Sequence, residues 1–239
     1  MACIYLFILA LVAYAASLPN LHNQIATFCR LPDKSDYTLI QDPFFGDIDH
    51  GQPGITFTTA YGDGDPRWFM VYQNGIDFKP YRAMKISSNT TVFIDLTTSC
   101  RTFSGRLVRG SAIDFNGDAH NLGTWTEINW EDYPVSYAGV SVIEGGNDGP
   151  VLLQSEDPST PIMGFPQDIM PEAPDECRVK KDSGGMALKP TDKDGYDKTT
   201  RDFTKGMLDI HKVSVDKNYT ATVMSHNGRF NISFLRGNH

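Results

Sequence analysis

The chain has 239 residues, with 21 Lys and Arg against 29 Asp and Glu and a formal net charge of −8. That acidic balance argues against a nucleic-acid partner, because phosphate binding rests on clustered Lys and Arg. Hydrophobic residues make up 40%, which suits a packed core and excludes a disordered chain. The length accommodates one domain, or two small ones at roughly 100–200 residues each. The 21 glycines and 14 prolines favour a turn-rich all-β chain over a helical bundle.

Ile4 to Ala16 is an apolar run, and no Asp, Glu, Lys or Arg precedes Arg30. It is shorter than the roughly 20 apolar residues a bilayer span needs. It ends in the small residues Ala13, Ala15, Ala16 and Ser17. This reads as a secretory signal peptide over 1–17, cut after Ala15 or Ser17. No second apolar run of that length follows, so the mature protein is expected to be secreted, extracellular and without a membrane partner. Three N-glycosylation sequons agree with secretion: Asn89-Thr90-Thr91, Asn218-Tyr219-Thr220 and Asn231-Ile232-Ser233. Their asparagines are expected outside the core. Cys3 leaves with the signal peptide, so the mature chain keeps Cys29, Cys100 and Cys177. An odd count allows at most one internal disulfide among the three, and sequence does not say which two pair.

In chain order, Val92, Ile94 and Leu96 share one face of a predicted strand at 91–96. Gly105 to Gly110 is a short strand bounded by glycines. Over Thr124 to Trp130, Trp125 and Glu127 face away from Thr126 and Ile128. In Gly139 to Glu144, Val140 and Val142 alternate with Ser141 and Ile143. Near the end, Phe230, Ile232 and Phe234 alternate with Asn231, Ser233 and Leu235. These are half-buried strands, apolar inward and polar outward. The pairs Asn74-Gly75, Asn116-Gly117 and Asn227-Gly228 predict hairpin turns. The stretch 155–202 holds six prolines, many acids and little alternation. It predicts an irregular excursion of loops with a short helix. Strand patterning resumes afterwards, which gives a single domain over 18–239 with an irregular lobe inside it.

Cofactor and metal chemistry find little footing. There is no CxxC and no His/Cys cluster of zinc spacing. Asp192-Lys193-Asp194-Gly195-Tyr196-Asp197 resembles half a calcium loop, but the twelfth position, where a bidentate Glu is needed, is Phe203. Asp63-Gly64-Asp65-Pro66 and Asp47-Ile48-Asp49-His50 read as turn chemistry. No G-x-S-x-G motif is present. Paired carboxylates remain. Glycoside hydrolysis needs two, roughly 5–10 Å apart, and Glu127 and Glu144 lie on neighbouring strand patterns. The alternative is two solvated glutamates on an outer face.

The blocks Thr90-Thr91-Val92-Phe93-Ile94-Asp95-Leu96, Ser104-Gly105-Arg106-Leu107-Val108-Arg109-Gly110, Asn121-Leu122-Gly123-Thr124-Trp125-Thr126-Glu127 and Tyr137 to Val151, closed by Arg229-Phe230-Asn231-Ile232-Ser233-Phe234, resemble the thaumatin-like family. The pattern is closest to its small secreted fungal members. The resemblance covers about 90–155, with an echo at 229–236. It implies an all-β, thaumatin-like β-sandwich with a cleft beside it. In that family an arginine and several acids of the cleft are linked to β-1,3-glucan binding and sometimes to weak glucanase activity. Carried across, the arginine is Arg106 and two of the acids are Glu127 and Glu144. A third falls on Gly139 and is lost. Arg106 is expected to keep both glutamates ionised, since a nearby cation lowers a carboxyl pKa. Trp125 and Tyr137 are candidate stacking platforms, with core packing the alternative for Trp125. The family is commonly cysteine-rich, and this mature chain, with three, departs from it. The implied function is binding of a β-glucan-type cell-wall polysaccharide without a cofactor. The rival readings are a weak endo-β-1,3-glucanase using Glu127 and Glu144, and an effector or inhibitor that binds a host protein through the 155–202 lobe.

Overall fold

A computed structural model of the protein describes residues 46–60, 62, 67–73, 80, 82–97, 102–110, 123–131, 135–146, 149–181, 185–191, 197–218 and 221–237. The signal-peptide segment, Cys29, Cys100, Asp63 to Pro66, the pairs Asn74-Gly75 and Asn116-Gly117, and Asp192 to Tyr196 lie outside them.

The described strands are β1 (Gly54–Thr59), β2 (Arg67–Gln73), β3 (Arg82–Ile86), β4 (Thr91–Asp95), β5 (Thr102–Gly110), β6 (Trp125–Glu131), β7 (Ser136–Ser141), β8 (Val151–Ser155), β9 (Met163–Phe165), β10 (Arg178–Lys180), β11 (Met186–Leu188), β12 (Thr222–Ser225) and β13 (Arg229–Phe234). They form an all-β sandwich. One sheet has the order β4-β1-β13-β8-β9, the other β12-β7-β6-β5-β2-β3, and β10 and β11 form a small ribbon. In the five-stranded sheet, β1 and β13 run parallel while the other neighbours are antiparallel.

Period-2 alternation determines what faces the core. Ile55 and Phe57 of β1, Val92 and Ile94 of β4, and Phe230, Ile232 and Phe234 of β13 are buried from one side. Phe69 and Val71 of β2, Leu107 of β5, Ile128 and Trp130 of β6, and Val140 of β7 meet them from the other. The centre is an aromatic trio that spans the two layers. Phe69 lies 4.8 Å from Phe57 and 5.0 Å from Phe234, and Phe57 meets Phe234 edge-on at 5.9 Å. Such pairs add roughly 0.5–1.5 kcal/mol each beyond area burial.

The turn at Asn227-Gly228 is not a hairpin. Gly228 has φ +69°, as the tight turn requires, and Asn227 Oδ1 accepts the Arg229 N–H at 3.1 Å. However, β12 pairs with β7, whereas β13 pairs with β1 and β8. The turn therefore carries the chain from one sheet to the other. Asn-Gly specifies the reversal, and the flanking apolar faces decide which sheet each arm joins.

The 155–202 stretch is irregular, as its composition implies. It begins with β9 on the sheet edge and continues through two 3-10 turns at Met170–Glu172 and Asp175–Cys177 and the β10/β11 ribbon. Helix α1 (Lys198–Met207) follows, capped by Asp197, whose carboxylate accepts the Thr199 and Thr200 N–H groups. Ile169, Met170, Cys177 and Leu188 belong to the same apolar core as the sheets. Backbone bonds from Gly146 to Leu188 (2.8 Å) and from Thr191 to Ile143 (2.9 Å) fasten the lobe to the end of β7.

Two ion-pair clusters hold residues 46–53 against the sandwich. Arg82 donates to both Asp47 oxygens at 2.7 and 2.9 Å, and Asp47 also accepts the Asp95 N–H at 2.8 Å. Arg229 donates to both Asp49 oxygens at 2.8 and 2.6 Å, to the Gln52 carbonyl at 2.7 Å and to Glu156 at 2.8 Å. Asp47 and Asp49 thus do serve the turn at 47–50, and they anchor it as well.

Candidate functional site

The outward face of the six-stranded sheet is built in rows by the strand register. Thr222, Gly139, Glu127, Arg106 and Tyr72 are successive cross-strand partners on β12, β7, β6, β5 and β2. One step away, the same strands align Met224, Tyr137, Asn129 and Ser104. On the other side lie Ser141, Trp125, Val108, Met70 and Ala83. Met70, Tyr72, Ala83 and Val108 form a second apolar cluster, with Trp68 and Trp125 packed against it. Trp125 is therefore half-buried on this outer face and not part of the main core. Tyr137 (45%) and Met224 (39%) are exposed.

Arg106 is at the centre and only 5% exposed. Its guanidinium carbon lies 4.4 Å from the Tyr72 ring centre and 4.1 Å from that of Trp125. A cation held between two aromatic rings gains roughly 0.5–2 kcal/mol per contact, more when desolvated. The rings also fix the plane of the guanidinium. Glu127 stands across from Arg106 on β6. Its other cross-strand neighbour is Gly139, which leaves the floor bare beside the carboxylate. A side chain cannot fill that gap, because a Cβ on Gly139 would sit 2.5 Å from the Ala221 carbonyl oxygen.

Glu144 is not a cross-strand partner of Glu127, because β7 ends at Ser141. It occupies the turn that follows, half-buried, and its charge acts on Glu127. The turn is held by Gly145, with φ +85° and the Leu188 carbonyl packed where a Cβ would be. Arg106, Glu127 and Glu144 thus form one electrostatic group. The lowering of the Glu127 pKa expected from Arg106 is outweighed. Burial pushes the Glu127 pKa up, Arg106 opposes it, and Glu144 adds to the rise. The residue is exposed along its flank, yet the crowded sheet around its carboxyl desolvates the charge enough to outweigh the cation.

The remaining sites are spread over the molecule. Asn89, Asn218 and Asn231 are all exposed. Asn89 has φ +56° in the turn between β3 and β4, a conformation asparagine tolerates better than most residues. Cys177 is a free thiol, fully buried, and burial raises its pKa. The other two disulfide candidates, Cys29 and Cys100, lie outside the described residues. Among the described residues no group of three His, Cys, Asp or Glu could hold a metal ion, and no helix is long and apolar enough to cross a membrane.

Sequence reasoning missed Tyr72 and Trp68. Their strand, Trp68-Phe69-Met70-Val71-Tyr72, is apolar on both faces, so it shows no alternation. That two-sided apolar run was itself a signal that the outward face is more than solvated surface. Compared with known proteins, the chain matches no family model and no curated sequence. Fold and site define the class, an all-β sandwich with a charged and aromatic sheet face.

Proposed function

We propose that the protein is a secreted, glycosylated, thaumatin-like sandwich that binds β-glucan-type polysaccharide on the outward face of its six-stranded sheet. The observation that carries this reading is the Tyr72–Arg106–Trp125 stack beside Glu127. A sugar ring has apolar C–H faces and a rim of hydroxyls. Tyr137 offers an exposed ring for the first. Glu127 and Asn129, both exposed, offer donors and acceptors for the second, and Arg106 between its rings supplies charge beside Glu127. The bare floor at Gly139 gives a shallow trough between them. The exposed sequon asparagines and the apolar N-terminal run support secretion. The experiment is retention on insoluble β-1,3-glucan. Wild type should be retained, and the Glu127→Gln/Tyr137→Ala double variant, altered only at side chains of the outward face, should wash off. Equal retention of the two proteins removes this face as the binding site.

A second reading, weak endo-β-1,3-glucanase activity, is favoured by the raised pKa of Glu127 and its coupling to Glu144. Acid and nucleophile roles require two neighbouring carboxyls, and a raised pKa suits the acid. Release of reducing ends above the level of a Glu127→Gln/Glu144→Gln control supports it, and no release above that level sets it aside.

A further inference from the structure

The opposite sheet also presents a feature on its outward side. A cleft of about 430 Å³ opens at the β8–β9 edge, lined by Leu152, Ile162, Gly164, Pro166, Met207 and Lys212 among others. Ile162 is 49% exposed, an unusual position for a large aliphatic side chain beside other apolar groups. The register shows what lies next to it. Asn231 on β13 faces Gln154 on β8, and Ser233 faces Leu152, which in turn faces Gly164 on β9. Asn231 and Leu152 are therefore diagonal neighbours on the same face, roughly 7–8 Å apart. Asn231 is exposed, and its own cross-strand partners Thr56 and Gln154 are half-buried, so a group on its amide can lie along the sheet.

We propose that an N-glycan on Asn231 folds back over this cleft and serves as its cover. The inference rests on the reading that the protein is secreted and glycosylated. The attachment forms a bond from the Asn231 amide nitrogen to the first sugar carbon, as that nitrogen loses a proton and the lipid diphosphate carrier leaves. The apolar faces of the first N-acetylglucosamine rings then rest on Leu152 and Ile162. Their hydroxyls and acetamido groups meet Gln154, Gln167, Asp209 and Lys212 at the rim. Asn89, in the β3–β4 turn, and Asn218, after Asp216, are not cross-strand neighbours of this lining. The register therefore assigns this role to Asn231.

The test uses the full chain secreted from a glycosylating eukaryotic host. Peptide masses report occupancy, and thermal unfolding and binding of a hydrophobic dye report the cover. With Asn231 occupied, Asn231→Gln should lower Tm by about 2–4 °C and at least double dye binding, whereas Asn89→Gln and Asn218→Gln should do neither. In an Ile162→Ser background the Asn231→Gln shift should shrink to half or less, because the apolar contact is already gone. An undiminished shift in that background, or none in wild type, overturns the cover. So does an unoccupied Asn231 in a protein glycosylated at Asn89 or Asn218, a result that leaves the secreted reading standing. Absence of glycan from all three sequons instead removes the glycosylated reading itself.

Discussion

Asp47→Ala tests how the 46–53 segment is tied to the sandwich. The carboxylate accepts two bonds from Arg82 and one from the Asp95 N–H. The side chains of the Arg82–Asp47 pair are 9% and 25% exposed. Breaking one side of a buried pair costs about 3–5 kcal/mol, and hydrogen bonds to charged groups contribute about 1.5–3 kcal/mol each. Partial access of water to Asp47 places the expected loss at about 2–3 kcal/mol, below the fully buried range. Urea unfolding at neutral pH measures it as a lower midpoint with an unchanged slope. The pH dependence gives a second readout. Burial alone would raise the Asp47 pKa, but Arg82 and the Asp95 amide outweigh it and hold it below the ordinary value. Asp49 is held at about 2, first by Arg229 and then by the Gly51 amide. A carboxyl with a depressed folded pKa stabilises the fold above its unfolded pKa, near 3.9 for Asp. That stabilisation is lost as pH falls through the folded value. Wild type should therefore lose stability from about pH 4 towards pH 2, and Asp47→Ala should show a shallower slope there. A loss under about 1 kcal/mol at neutral pH, with the acid slope unchanged, would refute the anchoring role.

The core and the site also set the response to substitution and labelling. Phe69→Ala removes the ring between Phe57 and Phe234 and should cost about 3–5 kcal/mol in chemical denaturation, and a cost under 1 kcal/mol would deny the trio its place at the centre. Glu127 has a folded pKa above its unfolded one, so stability falls as pH rises through that interval. Glu127→Gln should therefore raise Tm at neutral pH and leave it unchanged at acid pH. In carboxyl titration by NMR, Glu144→Gln should lower the Glu127 pKa, and movement upward would contradict the coupling. Cys177 should resist alkylation in the native protein and react on unfolding. Native labelling of Cys177, or its recovery in a disulfide, would contradict the buried thiol.

Strands that bury one face were readable from the sequence, because alternation records burial directly. Val92, Ile94 and Leu96, the Thr126/Ile128 face, and Phe230, Ile232 and Phe234 all point inward as their spacing implies. The β2 strand was not readable in this way, since Met70 and Tyr72 are buried outside the main core while Phe69 and Val71 are buried inside it. Sheet membership was also hidden. Asn227-Gly228 encodes a reversal, but nothing local says that its two arms part company. In the site, the grouping of Arg106, Glu127 and Glu144 was legible from the strand patterns together with the family resemblance. The sign of the Glu127 shift was not, because it depends on how much of the folded sheet surrounds the carboxyl.

The proposed polysaccharide site is the outward face of the six-stranded sheet. Hydrogen–deuterium exchange of the whole protein, with and without a soluble β-1,3-glucan oligosaccharide, tests it most directly. Slowed exchange in 102–110, 125–131 and 136–146 is the predicted result. Slowed exchange confined to 155–202, or no change anywhere at saturating oligosaccharide, would contradict it.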